Sequence, residues 1–113
     1  MEDVLMQLRM YEYAAESFEE DNYPDATLED VQQSKYEYMY LRNLGDYLEI
    51  LIKKDKYSNE EIAEKMKSYF DKMYSDFQKN SKKSIALKKK ATFLKNAAFQ
   101  QVYNILEEVL VEV

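Results

Sequence analysis

The chain has 113 residues, with 22 acidic and 16 basic side chains for a net charge of −6; it has one Gly, one Pro, and no His, Cys or Trp. Without His or Cys there is no Ser-His-Asp or Cys-His relay, no imidazole or thiolate metal ligand, no disulfide and no redox thiol. A single Gly likewise excludes a glycine-rich phosphate cradle. A non-enzymatic protein without cofactor or metal is the expectation.

The length suits one domain with its own core. Three polar breaks, at 21–25, 56–59 and 80–84, divide it into four predicted helices near 2–20, 27–55, 59–79 and 84–112, so 1–113 is read as a single all-helical domain. The first segment opens on acidic Met1-Glu2-Asp3, which is not the basic start of a secretory leader. Its apolar stripe is Val4, Leu8, Tyr11, Ala15 and Phe18, in steps of three and four. Thr27, with Asp30 three residues on, is the expected cap of the second segment. That segment carries Val31, Ser34, Tyr38, Leu41, Gly45, Leu48 and Ile52, widened by Tyr36, Tyr40, Leu44, Tyr47 and Leu51.

Ser58 and Glu61 form a capping box for the third segment, whose stripe is Ile62, Met66, Tyr69, Met73 and Phe77, with Phe70 beside it. The fourth uses Leu87, Ala91, Leu94, Ala98, Val102, Ile105 and Val109. Short connections favour antiparallel neighbours, so the expected architecture is an antiparallel up-down four-helix bundle, with a long helical hairpin that dimerises into a bundle as the alternative. No stretch approaches the ~18 apolar residues of a membrane span, and a soluble cytoplasmic protein is expected.

Charge is divided unevenly. Residues 1–30 carry ten carboxylates against Arg9 alone, while residues 81–113 carry six lysines against three glutamates. The up-down arrangement would set the acidic run 16–30 beside the basic run 82–95, so internal pairing is the first expectation for both. Left free, Glu12, Glu16, Glu19 and Glu20 would make an acidic contact surface for a basic protein partner. Lys82, Lys83, Lys88, Lys89, Lys90 and Lys95, with Phe93 or Tyr103 for stacking, are the alternative: a nucleic-acid contact, disfavoured by the net negative charge.

By length, the second and fourth helices (about 40 Å) outrun the first and third (about 30 Å). The expected overhang is the end of the fourth, where Leu106, Leu110 and Val113 would dock a partner or a second copy in a homodimer. Gly45, costly in mid-helix by about 1 kcal/mol, is expected to admit a close neighbour at Ala91, Ala97 or Ala98. Residues 58–66 resemble the first helix of a helix-turn-helix, but 67–70 continue the helical pattern where a turn is needed. Glu12/Glu16 and Glu60/Glu64 are spaced for a hard cation, and solvation is the simpler reading.

A third reading, an enzyme using Tyr, Lys and carboxylates, requires a large cavity holding a strongly perturbed titratable group. The expectation carried forward is a small regulator or inhibitor that works by protein–protein contact. In size, acidity and lack of catalytic groups the chain is like phage inhibitors, immunity proteins and regulators of mobile elements, an analogy of composition only.

Overall fold

A computed structural model describes residues 1–81 and 89–111. They form α1 (Glu2–Glu16), a single turn α2 (Phe18–Asp21), α3 (Leu28–Lys54), α4 (Asn59–Ser81) and α5 (Lys89–Leu110), and include no strand. The all-helical expectation holds. The expected start of the fourth helix, 84–88, lies outside the described residues. The first predicted helix is interrupted at Ser17, whose hydroxyl donates back to the Tyr13 carbonyl at 2.9 Å, sharing that acceptor with its own N–H.

Local chemistry sets the ends. The Thr27 hydroxyl accepts from the Asp30 N–H and the Ser58 hydroxyl from the Glu61 N–H, both at 3.1 Å, so both predicted caps are made. Acidic residues occupy the first turns of α1, α3 and α4, and Lys53 and Lys54 the last turn of α3, each matched to the helix dipole. α3 stops at Asp55, which turns into the left-handed region (φ 48°) and returns its N–H to the Ile52 carbonyl. Asp tolerates that conformation better than most residues.

One core joins the four long helices. Val4 and Leu8 come from α1; Leu41, Leu44, Leu48 and Leu51 from α3; Ile62, Met66 and Phe70 from α4; and Ala98, Phe99, Val102, Ile105, Leu106, Val109 and Leu110 from α5. All four long helices of one chain share this core. α3 and α5 are the inner pair: each packs on the other, on α1 and on α4, whereas α1 and α4 do not meet. The result is flattened, 45 × 34 × 21 Å.

Register is marked by paired side chains. Asn43 lies against Met73 and Tyr47 stacks on Tyr69, so contacts retreat along α3 as they advance along α4. Tyr36 lies under Lys95 and Tyr40 stacks on Phe99, so α3 and α5 advance together. The Tyr40–Phe99 rings, 3.8 Å apart, join an aromatic cluster with Phe70, Tyr74 and Phe77. Such pairs add about 0.5–1.5 kcal/mol each beyond area burial.

The apolar end of α5 is not an overhang. Leu106 is 2 % and Leu110 5 % exposed. The start of α1 and the start of α4 close that end, where Met1, Val4, Asn59, Val109 and Val111 border one hollow. Leu106 and Leu110 are therefore core residues, and the docking edge assigned to them is corrected. Val113, its third member, lies outside the described residues, and Val111 is the exposed apolar residue there. α4 runs unbroken through Met66–Phe70, which leaves no turn for a helix-turn-helix.

Candidate functional site

α1 has two apolar faces. Val4 and Leu8 point into the core, with Tyr11 and Ala15 half-buried beside them. On the opposite side Met6, Met10 and Tyr13, spaced i, i+4, i+7, are 62 %, 65 % and 70 % exposed. This spacing is as helical as that of the core stripe, so periodicity alone could have marked this second face. A shallow hollow of about 340 Å³, lined by Gln7, Met10, Tyr11 and Ala14, runs along its edge.

Arg9 explains why that face is one-signed. It is the one basic residue among the first thirty, and it is turned toward α3. Its guanidinium donates to Glu12 at 2.8 Å, Asp46 at 2.9 Å and Glu49 at 3.1 Å. Partial burial opposes its charge, but the hydrogen bonds to Glu12 and Asp46 outweigh this and hold its pKa above the ordinary arginine value. Gly45 makes the room: a Cβ there would stand 2.8 Å from Arg9 Nη1. The neighbour Gly45 admits is thus a guanidinium from α1, not an alanine of the fourth helix, and that expectation is corrected.

The four predicted acidic residues separate. Glu12 is held by Arg9 and faces α3, so it is not part of an open surface. Glu16, Glu19 and Glu20 are exposed around the junction of α1 and α2, and none of the three makes an ion pair among the described residues. On the far edge of α1 the Tyr11 hydroxyl donates to Glu108 of α5 at 2.8 Å, which raises the phenol pKa.

Of the basic cluster, Lys82, Lys83 and Lys88 lie outside the described residues. Lys90 pairs with Glu29, the contact expected where acidic and basic runs meet, and Lys95 lies over the Tyr36 ring. Lys89 is exposed, as is Phe93.

Glu37 was not singled out from the sequence. It shares the core-facing line of α3 with Leu41, Leu44, Leu48 and Leu51, and burial pushes its carboxyl up to about 7. Tyr40, one turn on, is pushed up to about 12, first by burial and then by Tyr36. Among the described residues, neither lines the five hollows of about 310–580 Å³ that open on the surface. Tyr11 and Tyr103, whose phenols are raised first by hydrogen bonds to Glu108 and Glu107, do line open hollows. Among the described residues no cluster of three or more potential ligands could hold a metal ion. Nor, among them, is any helix long and apolar enough to cross a membrane.

No family model, curated protein or solved structure matches the chain.

Proposed function

We propose that this is a non-enzymatic binding protein, a small regulator or inhibitor that engages a basic protein through the acidic face of α1 and α2. The observation that carries this reading is the inward turn of Arg9. One cation serves three carboxylates on its α3 side, and Glu16, Glu19 and Glu20 are exposed with no cation on them among the described residues. Surface potential of one sign steers an oppositely charged partner and rejects wrong ones. In the same reading the four long helices form an antiparallel up-down bundle, flattened along the α3–α5 diagonal. The apolar α5 end has no part in it, and a homodimer through that end is not proposed.

Affinity capture with wild type and with Glu16→Lys/Glu19→Lys/Glu20→Lys tests this reading. The expected result is a basic protein that wild type retains at low salt, that elutes as salt rises and that the triple variant does not hold. A partner held equally by both proteins overturns it.

The runner-up is nucleic-acid binding through Lys89 beside exposed Phe93. It predicts a mobility shift of single-stranded RNA or DNA at low salt, lost in Lys89→Glu.

A further inference from the structure

Met6, Met10 and Tyr13 form a continuous exposed row on α1, about 10 Å from first to last at the helical rise. Two exposed methionines in successive turns are unusual for a solvated face, and a rimmed apolar patch marks a contact site. Methionine is suited to it, because its unbranched thioether adapts to irregular partners.

The rim says what covers the row. Asp3 closes one end and Glu16 the other. Past the row's end Glu19 and Glu20 are exposed as well, and the one cation of α1, Arg9, is taken up by Glu12, Asp46 and Glu49. A second copy of this chain would bring the same carboxylates against themselves, and an anionic membrane or nucleic acid would meet repulsion from Asp3, Glu16, Glu19 and Glu20. An apolar row between exposed carboxylates is complementary to a helix with an apolar stripe flanked by Lys and Arg.

We infer that the outer face of α1 is a docking site for a basic amphipathic helix of the partner, its apolar stripe on Met6, Met10 and Tyr13 and its cations against Asp3, Glu16, Glu19 and Glu20. This rests on the acidic-face reading above and deepens it. Charge brings the partner, and the methionine row selects a segment with helical apolar spacing.

The probe is a synthetic 18-residue Leu/Lys peptide with Leu at i, i+3, i+4 and i+7. A scrambled peptide of the same composition and a Leu/Glu peptide of the same pattern are the controls. The protein is labelled at its methionine methyls, which supply reporters on the row (Met6, Met10), on another exposed face (Met39) and in the core (Met66). The expected result is binding in the micromolar range that shifts Met6 and Met10 and leaves Met39 and Met66 in place. The scrambled peptide binds at least tenfold more weakly, and Met6→Ser/Met10→Ser weakens the Leu/Lys peptide at least tenfold with the Met66 signal unchanged. Equal binding of scrambled and patterned basic peptides, indifferent to the double substitution, overturns this inference and leaves the acidic-face reading standing. No binding of any basic peptide overturns both. Equal binding of the Leu/Glu peptide, or Met6 and Met10 shifts that follow protein concentration alone, removes the charge argument and with it the proposed occupant.

Discussion

The end of α5 and the outer face of α1 both carry apolar residues at helical spacing, and they have opposite fates. Leu106 and Leu110 are sealed in, while Met6, Met10 and Tyr13 face water. Periodicity says that a helix face is apolar; it does not say that anything lies on it. What decides is position in the flattened fold. α5 is an inner helix, packed on α1, α3 and α4, so it buries two adjoining stripes. α1 is an outer helix, and one stripe satisfies its contacts with α3 and α5.

The strongest way to break this comparison is to place a charge on each side of it. Leu106→Asp puts a carboxylate among core residues with no partner, and it is expected to cost more than 4 kcal/mol and leave the protein unfolded by circular dichroism. Met10→Asp should change the melting free energy by less than about 0.5 kcal/mol. If both unfold the chain, the outer face of α1 is not open to water. The contrast sharpens within α5, where Phe99 is 2 % and Phe93 71 % exposed. Phe99→Ala removes the ring stacked on Tyr40 and should cost about 3–5 kcal/mol in urea unfolding, against less than about 0.5 for Phe93→Ala.

Glu37 is a polar residue on an inward-facing line. Its folded carboxyl titrates near 7 against an ordinary 4.5, so between those values the folded state holds more proton than the unfolded chain. The stabilisation is complete below about 4.5 and is lost as pH rises through 7. Glu37→Gln is expected to flatten that slope in pH-dependent melts and to stabilise the protein at pH 8. Water at its partly open edge discounts the full shift to about 1 kcal/mol.

The smallest effect tests the anchor between the two faces of α1. Gly45→Ala gains helix propensity of about 1 kcal/mol but pushes on the Arg9 guanidinium, and the expected net change is within about 0.5 kcal/mol. In Arg9→Gln the obstruction is gone, and the same substitution should then stabilise by close to the full propensity gain. A double-mutant cycle by chemical denaturation reads the coupling; additivity would show that Gly45 does not serve Arg9.

Much of the fold was legible because helix signals are local. The caps at Thr27 and Ser58, the breaks after Asp21 and Lys54, and the inward stripes of all four long helices depend on neighbours within a few residues. The site was legible only in its charge. Glu16, Glu19 and Glu20 stand exposed as a charged run does by default, whereas the capture of Glu12 depends on Arg9 turning toward Asp46 and Glu49, some 37 and 40 residues away. The close approach at Gly45 could be read as a need for space. What fills that space could not, because the pairing of α1 with α3 is a tertiary fact. The same holds for the misplaced overhang, which followed from adding helix lengths without knowing which helices are inner.

With no cysteine, methionine carries all the sulfur in this protein. That sulfur is partitioned: the Met6 and Met10 thioethers are open to solvent, and Met66 is fully enclosed. A mild peroxide reaches the first two long before the last, and a sulfoxide turns an apolar side chain polar. The outer face of α1 can thus be made hydrophilic by an oxidant that leaves the interior reduced, so the stickiness of the surface and the integrity of the fold are chemically separable in the native chain.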